Sequence, residues 1–82
     1  MAAGYAEWLA VLNQLAGTKG LGENAAANVY AGTTNMGLEA ALSIKAYGKI
    51  GYEINSSCNK IAGTTGMEAL HALNIKAGNA AP

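Results

Sequence analysis

Apolar residues recur along this chain at helical spacing, in short stretches that glycine and threonine separate. Tyr5, Leu9 and Leu12 follow one another at intervals of four and three residues, which places their side chains on one face of an α-helix. The same kind of spacing recurs in three later stretches: Leu38-Leu42-Ala46, Ile54-Cys58-Ile61 and Leu70-Leu73-Ala77. The pattern predicts an all-α protein.

These stretches belong to a tandem repeat of about fifteen residues. Its end is marked by four related segments and one looser copy: Leu15-Ala16-Gly17-Thr18, Tyr30-Ala31-Gly32-Thr33, Ile61-Ala62-Gly63-Thr64, Lys76-Ala77-Gly78-Asn79 and the irregular Lys45-Ala46-Tyr47-Gly48. Glycine ends a helix at low cost because it readily adopts a left-handed conformation. We therefore expect each of these segments to end a helix, with Tyr47 standing in place of glycine in the third.

The repeat predicts one domain over 1–82, a compact array of five short helices. The predicted helices span 5–16, 22–31, 37–46, 52–62 and 67–77, and residues 79–82 are expected to form a frayed tail. Thr65-Gly66-Met67-Glu68 has the form of a capping box that starts the fifth helix. Links of three to five residues predict that neighbouring helices run back against one another.

Each copy carries its charges at fixed places. One glutamate lies near each predicted helix start and most lysines lie near helix ends. This arrangement matches the helix dipole, which favours acids at the amino end and cations at the carboxyl end. We therefore assign the glutamates a structural role rather than acid–base catalysis.

A polar residue recurs four places before each predicted helix stop, as Asn13, Asn28, Ser43, Asn59 and Asn74. Asparagine is a poor residue for a helix interior, and its amide can bond to nearby backbone. One interpretation is a structural hydrogen bond that locks each helix to the turn that follows. The other is a row of exposed amides that bind a partner.

Composition points to a thin core and to association. Hydrophobic residues make up 51% of the chain, but 18 of them are alanine and none is phenylalanine. Such a domain gains stability by burying surface against other copies or a scaffold. The net charge is zero and arginine is absent, so we expect no nucleic-acid partner. The longest apolar run, 8–12, is far too short to span a bilayer, and we expect no membrane partner.

Two side chains are candidates for chemistry, and the repeat argues against both. Cys58 takes the place that Leu12, Leu42 and Leu73 occupy in other copies, which favours a buried hydrophobic role. His71 takes a place held elsewhere by small residues, which favours an exposed side chain. One Cys with one His does not make a metal site. We therefore expect no catalytic residue, metal or cofactor.

Aromatic side chains are the candidates for a partner interface: Tyr5, Trp8, Tyr30, Tyr47 and Tyr52. Aromatic rings with a polar tip are favoured at protein contacts. The alternative is that they fill gaps in an alanine-rich core.

The Ala-Gly-Thr-Thr-Gly pattern of 61–67, with its relatives at 15–21 and 30–36, resembles short Gly/Thr-punctuated helical repeats in structural proteins of tailed bacteriophages. The resemblance implies a virion protein that is made in the bacterial cytoplasm. It implies most directly a capsid decoration or minor capsid protein, with the major capsid protein or another virion protein as partner and with self-association. A tail or fibre-attachment component is the first alternative. A small membrane-active helical peptide is an alternative from another class.

Overall fold

The computed structural model describes residues 3–81 and contains five α-helices in that range. They are α1 (Ala3–Ala16), α2 (Glu23–Ala31), α3 (Leu38–Tyr47), α4 (Ile54–Ala62) and α5 (Ala69–Ala77). The predicted all-α array of five short helices is confirmed, and each helix end lies within two residues of its predicted place.

Each of the helices α2–α5 ends on a glycine in the left-handed conformation. Gly32, with φ 75°, closes α2 by donating its N–H to the carbonyl of Asn28 at 2.8 Å. The third helix differs from the expectation that Tyr47 takes the stop position. Tyr47 is the last residue of α3, and Gly48, with φ 81°, ends the helix. The reason is steric, because the left-handed conformation suits glycine and not a residue with a bulky side chain.

The predicted capping box at the start of α5 is wrong. The N-cap residue is Glu68, and its side chain makes no capping bond. Thr65 lies earlier, in an exposed loop. The chain does not enter the helix there because the Asn59 amide holds both the carbonyl and the N–H of Met67, at 2.7 and 3.1 Å.

A neighbouring helix supplies the cap that the local sequence lacks. The Asn55 side-chain oxygen in α4 accepts the N–H of Ala69, the first residue of α5, at 2.8 Å. Asn24 in α2 accepts the N–H of Leu38, the first residue of α3, at the same distance. These bonds place the start of one helix beside the start of the helix before it.

Neighbouring helices therefore begin at the same side of the molecule, and the prediction that they run back against one another is wrong. Each link instead runs back along the helix that it follows. In the second repeat, Met36 is held beside Asn28 in the middle of α2, and Leu38 is held beside Asn24 at its start. The six-residue link 32–37 is long enough to retrace a nine-residue helix although it bends at the left-handed residues Gly32 and Asn35, with φ of 75° and 58°. An extended residue spans up to about 3.3 Å, whereas a helical residue rises only about 1.5 Å.

The five repeats close into a ring. Each helix packs against the next in the chain, and α5 packs against α1. At this closure the amides of Gln14 and Asn79 bond reciprocally, at 2.7 and 3.2 Å, and Gln14 also donates to the carbonyl of Ala77 at 3.2 Å. The predicted frayed tail is therefore wrong at Asn79. Pro82, in the same predicted tail, lies outside the described residues.

The centre of the ring receives one side chain from the same place in each helix. These five side chains are fully buried: Leu12, Ala27, Leu42, Cys58 and Leu73. The residue before each of them is also buried, and larger side chains such as Trp8 and Ile61 pack around this core. Packing between repeats holds helices that are too short to be stable alone in water.

Candidate interaction surface

Cys58 lies in the ring centre and His71 lies on the outside. Burial raises the pKa of the Cys58 thiol to about 12, so the thiol stays protonated at neutral pH and lacks the nucleophilic form. His71 is exposed and borders a shallow recess with Glu7 and Glu68. Between residues 3 and 81, no three His, Cys, Asp or Glu side chains come together as a metal-binding group.

The recurring asparagines are turned inward. Asn28 is 8% exposed, and its amide group makes four hydrogen bonds. It donates to the carbonyls of Asn24 and Met36 at 2.7 and 2.8 Å, and it accepts from the Thr33 hydroxyl and the Met36 N–H at 2.7 and 3.2 Å. Asn13 and Asn59 make the corresponding four bonds. These amides are occupied by the fold.

The other two members of the series hold their loops in simpler ways. The Ser43 hydroxyl donates to the carbonyl of Lys49 at 2.6 Å and accepts the N–H of Tyr52 at 3.2 Å. The Asn74 amide donates to the carbonyl of Leu70 and accepts from Asn79, each at 3.0 Å. The whole series therefore connects each helix to the chain that follows it.

The irregular third repeat brings two tyrosines together. Tyr47 and Tyr52 stack with ring centroids 3.8 Å apart and planes inclined by 19°. Ser43 fixes the backbone of Tyr52, and the Tyr47 hydroxyl lies 3.0 Å from the hydroxyl of Ser56 on α4. Both rings are half-buried, so the stack is held by its neighbours and still presents part of its surface.

Exposed lysines surround these rings. The Lys49 ammonium lies 5.9 Å from the ring centroid of Tyr52, and the Lys60 ammonium lies 5.9 Å from that of Tyr47. The Lys45 ammonium lies 4.6 Å from the ring of Tyr30. Cations within about 6 Å of an aromatic face are attracted to it. We call the six residues together the tyrosine–lysine patch: Tyr30, Tyr47, Tyr52, Lys45, Lys49 and Lys60.

The polar end of Tyr30 is enclosed by the protein. Its hydroxyl is buried and has no hydrogen-bond partner among the residues that the structure describes. Burial, and then the proximity of Cys58, raise the pKa of this hydroxyl. The ring of Tyr30, and not its hydroxyl, is therefore the part that is available to a partner.

The remaining two aromatic candidates lie elsewhere. Tyr5 and Trp8 are in the first half of α1, whereas Tyr30 and Tyr47 are in the last turns of α2 and α3. Helix α1 packs against α2 and α5 but against neither α3 nor α4, so Tyr5 and Trp8 lie away from the Tyr47–Tyr52 stack. The stack itself extends toward the helix starts, because the Tyr47 hydroxyl meets Ser56 in the first turn of α4 and Tyr52 shares a recess with Glu39 and Glu53. Tyr5 is 56% exposed, whereas Trp8 packs against the core.

Sequence reasoning missed the three lysines as members of a surface with the tyrosines. The available signal was their position at helix ends, because Lys45 and Lys60 lie in last turns. Dipole matching explains that position equally well. The contacts of the three lysines with the tyrosine rings depend on how the helices pack, which the sequence pattern does not specify.

No protein family, no curated protein and no solved structure matches the chain. Within the described part of the chain, every helix is too short or too polar to cross a membrane.

Proposed function

We propose that the protein is a non-enzymatic structural protein of a virus particle, a capsid decoration or minor capsid protein of a tailed bacteriophage that binds the major capsid lattice. The repeat pattern of the sequence suggests this setting. The observation that supports a binding role is the tyrosine stack of Tyr47 and Tyr52, flanked by exposed lysines. We propose that the tyrosine–lysine patch meets an acidic and partly apolar site on the lattice.

The patch is suited to tight contact because it is already ordered. Stacking and the contact with Ser56 hold the Tyr47 ring, so binding loses little side-chain freedom. Aromatic rings contribute large contact areas, and lysines around them steer an acidic partner and favour one orientation.

The use of polar groups inside the ring agrees with a structural role. The amides of Asn13, Asn28 and Asn59 hold the loops, and the Cys58 thiol is buried and protonated. Side chains that sequence alone left open for partner binding or chemistry are thus used to support the ring. The half-buried rings of the patch and its exposed lysines remain for recognition.

The proposal is tested by co-sedimentation of the labelled chain with shells of the major capsid protein encoded in the same genome. The patch variant carries Lys45→Gln, Lys49→Gln and Lys60→Gln, all at exposed positions. Three exposed charges at roughly 0.5 kcal/mol each predict binding weaker by about tenfold or more. The matched control, Lys19→Gln with Lys76→Gln, removes lysines outside the patch and is expected to bind like the parent chain.

Two results would contradict the proposal. One is a parent chain that stays in the supernatant with shells present, and the other is a patch variant that binds as well as the control. Gold-labelled chain on tails rather than heads would favour the tail or fibre-attachment alternative. Leakage of liposomes in the presence of the chain would favour the membrane-active alternative.

A further inference from the structure

The ring separates the charges of the chain onto two opposite sides. Because neighbouring helices begin at the same side, the glutamates at the starts of α2–α5 come together there, and Glu7 in the second turn of α1 shares a recess with Glu68. The lysines in or just after the last turns lie on the other side. We call the first side the acidic face: Glu7, Glu23, Glu39, Glu53 and Glu68. We call the second side the basic face: Lys19, Lys45, Lys60 and Lys76. Lys49 lies apart from them in the link after α3, beside Tyr52, which shares a recess with Glu39 and Glu53.

Direct contacts support this placement at both sides. Glu7 of α1 and Glu68 at the start of α5 border the same recess. On the other side, Lys45 of α3 reaches the Tyr30 ring of α2, and Lys60 of α4 reaches the Tyr47 ring of α3. All five lysines and four of the five glutamates are exposed, with Glu23 half-buried. A chain with zero net charge therefore has two faces of opposite sign.

The helix dipoles reduce this difference without removing it. Each helix end carries roughly half an elementary charge, positive on the acidic face and negative on the basic face. On the order of half of the formal side-chain charge thus remains on each face. The two faces of one molecule are complementary in charge. A second copy that is displaced along the direction in which the helices run therefore places its basic face against the acidic face of the first.

We propose that copies of this chain stack head to tail, with the acidic face of one ring on the basic face of the next. Tyr5, exposed near the start of the longer helix α1, lies on the acidic face and would meet lysines of the neighbouring copy. The contact is heterologous, so it extends into a row rather than closing as a dimer. This proposal does not depend on a virion setting, and the end of a row leaves one basic face free for another partner.

The size of the faces predicts weak and salt-dependent stacking. The molecule measures 30 × 26 × 23 Å, so a face covers on the order of 600 Å², less than the ~800 Å² per partner of a standard interface. Screening shortens the range of electrostatic attraction from ~30 Å at about 0.01 M salt to ~3 Å at about 1 M. Stacking should therefore require low salt and high protein concentration.

The test is sedimentation velocity of the purified chain over a concentration series at about 0.01 M and about 1 M salt. At low salt the average mass should rise with concentration beyond that of a dimer, and at high salt it should stay that of a monomer. The proposal is overturned if the chain is monomeric at every concentration, if it stops at a dimer, or if association persists at high salt.

Two charge-reversed variants sharpen the test. One carries Lys45→Glu, Lys60→Glu and Lys76→Glu, which makes both faces acidic. The other carries Glu39→Lys, Glu53→Lys and Glu68→Lys, which makes both faces basic. Each alone should remain a monomer at low salt, and an equal mixture should associate. A mixture that stays monomeric while the parent chain stacks would overturn the pairing of the two faces.

Reversed charges oppose the helix dipoles, so folding of both variants is checked by far-UV circular dichroism. If either unfolds, a variant with the uncharged substitutions Lys45→Gln, Lys60→Gln and Lys76→Gln replaces both, and it should lose stacking. Retained stacking in that variant would overturn the proposal. Because no capsid protein is present, failure here is distinct from failure of binding to shells.

Discussion

At the scale of single residues, the recurring asparagine sets the path of the chain. Asn28 satisfies its carbonyl and both of its N–H groups while it holds the loop residue Met36 by both backbone groups. The loop is held in one conformation because the buried Asn28 side chain makes the hydrogen bonds to its backbone that water would otherwise make. The sequence showed the period of this residue, but its burial decided between the two interpretations.

Asn28→Ala is expected to destabilise the protein by about 2–4 kcal/mol, because it removes four hydrogen bonds and leaves backbone groups of Met36 without partners. The measurement is urea unfolding followed by far-UV circular dichroism. Thr34→Ala, an exposed change in the same loop, is the control and should cost less than about 0.5 kcal/mol. Equal losses in the two variants would argue against the role assigned to Asn28.

At the scale of helices and links, a side chain of one repeat caps the helix of the next. The side-chain oxygens of Asn24 and Asn55 cap helices that begin fourteen residues later. The capping box predicted at Thr65 is absent because the capping group of α5 comes from another helix. The stop signals were predicted well because a glycine in the left-handed conformation acts within its own turn.

Asn55→Ala is expected to loosen the start of α5, because the Ala69 N–H loses its acceptor. Loss of a cap costs about 1 kcal/mol. Amide exchange measured by NMR should accelerate at Ala69, while the Leu38 amide at the start of α3 keeps its protection. Asn24→Ala should give the reverse pattern. Exchange that rises equally at both helix starts would show that the two caps do not act locally.

At the scale of the whole molecule, closure distinguishes this array from an open row of repeats. The bonds between Gln14 and Asn79 join the first helix to the end of the last. Each repeat therefore has two neighbours, and Leu73 of α5 fills the same core as Leu12 of α1. In an open array, stability is close to a sum over repeats and a terminal repeat can be removed. In a closed ring, removal of any repeat opens the core.

A chain that ends after Thr65 is expected to lose cooperative unfolding, because α1 and α4 each lose a neighbour and the central core loses Leu73. Urea unfolding followed by circular dichroism should change from a sigmoidal transition to a shallow slope. A chain that ends after Asn79 keeps the closing bonds and should unfold like the full chain. A sharp transition in the shorter chain would indicate independent repeats.

The candidate surface was anticipated only in part. Tyr47 and Tyr52 are both predicted from the sequence, and the structure stacks their rings because the Ser43 hydroxyl holds the Tyr52 backbone against α3, whose last residue is Tyr47. Tyr5 belongs to the same predicted set but lies on α1, which packs against neither α3 nor α4. Aromatic residue type indicates a tendency toward contact, whereas only the path of the chain decides which aromatic side chains share a surface.

The sequence by itself determined the helical class, the approximate bounds of the five helices and the buried role of Cys58, because these depend on apolar spacing within a turn, on glycine at a stop and on the place of Cys58 in the repeat. Tertiary structure alone decided the common direction of the helices, the closure of the ring and the separation of charge into two faces. Those features depend on bonds between residues far apart in the chain, such as Gln14 and Asn79. Local patterns do not specify such bonds, since the same helices and links are compatible with an open row.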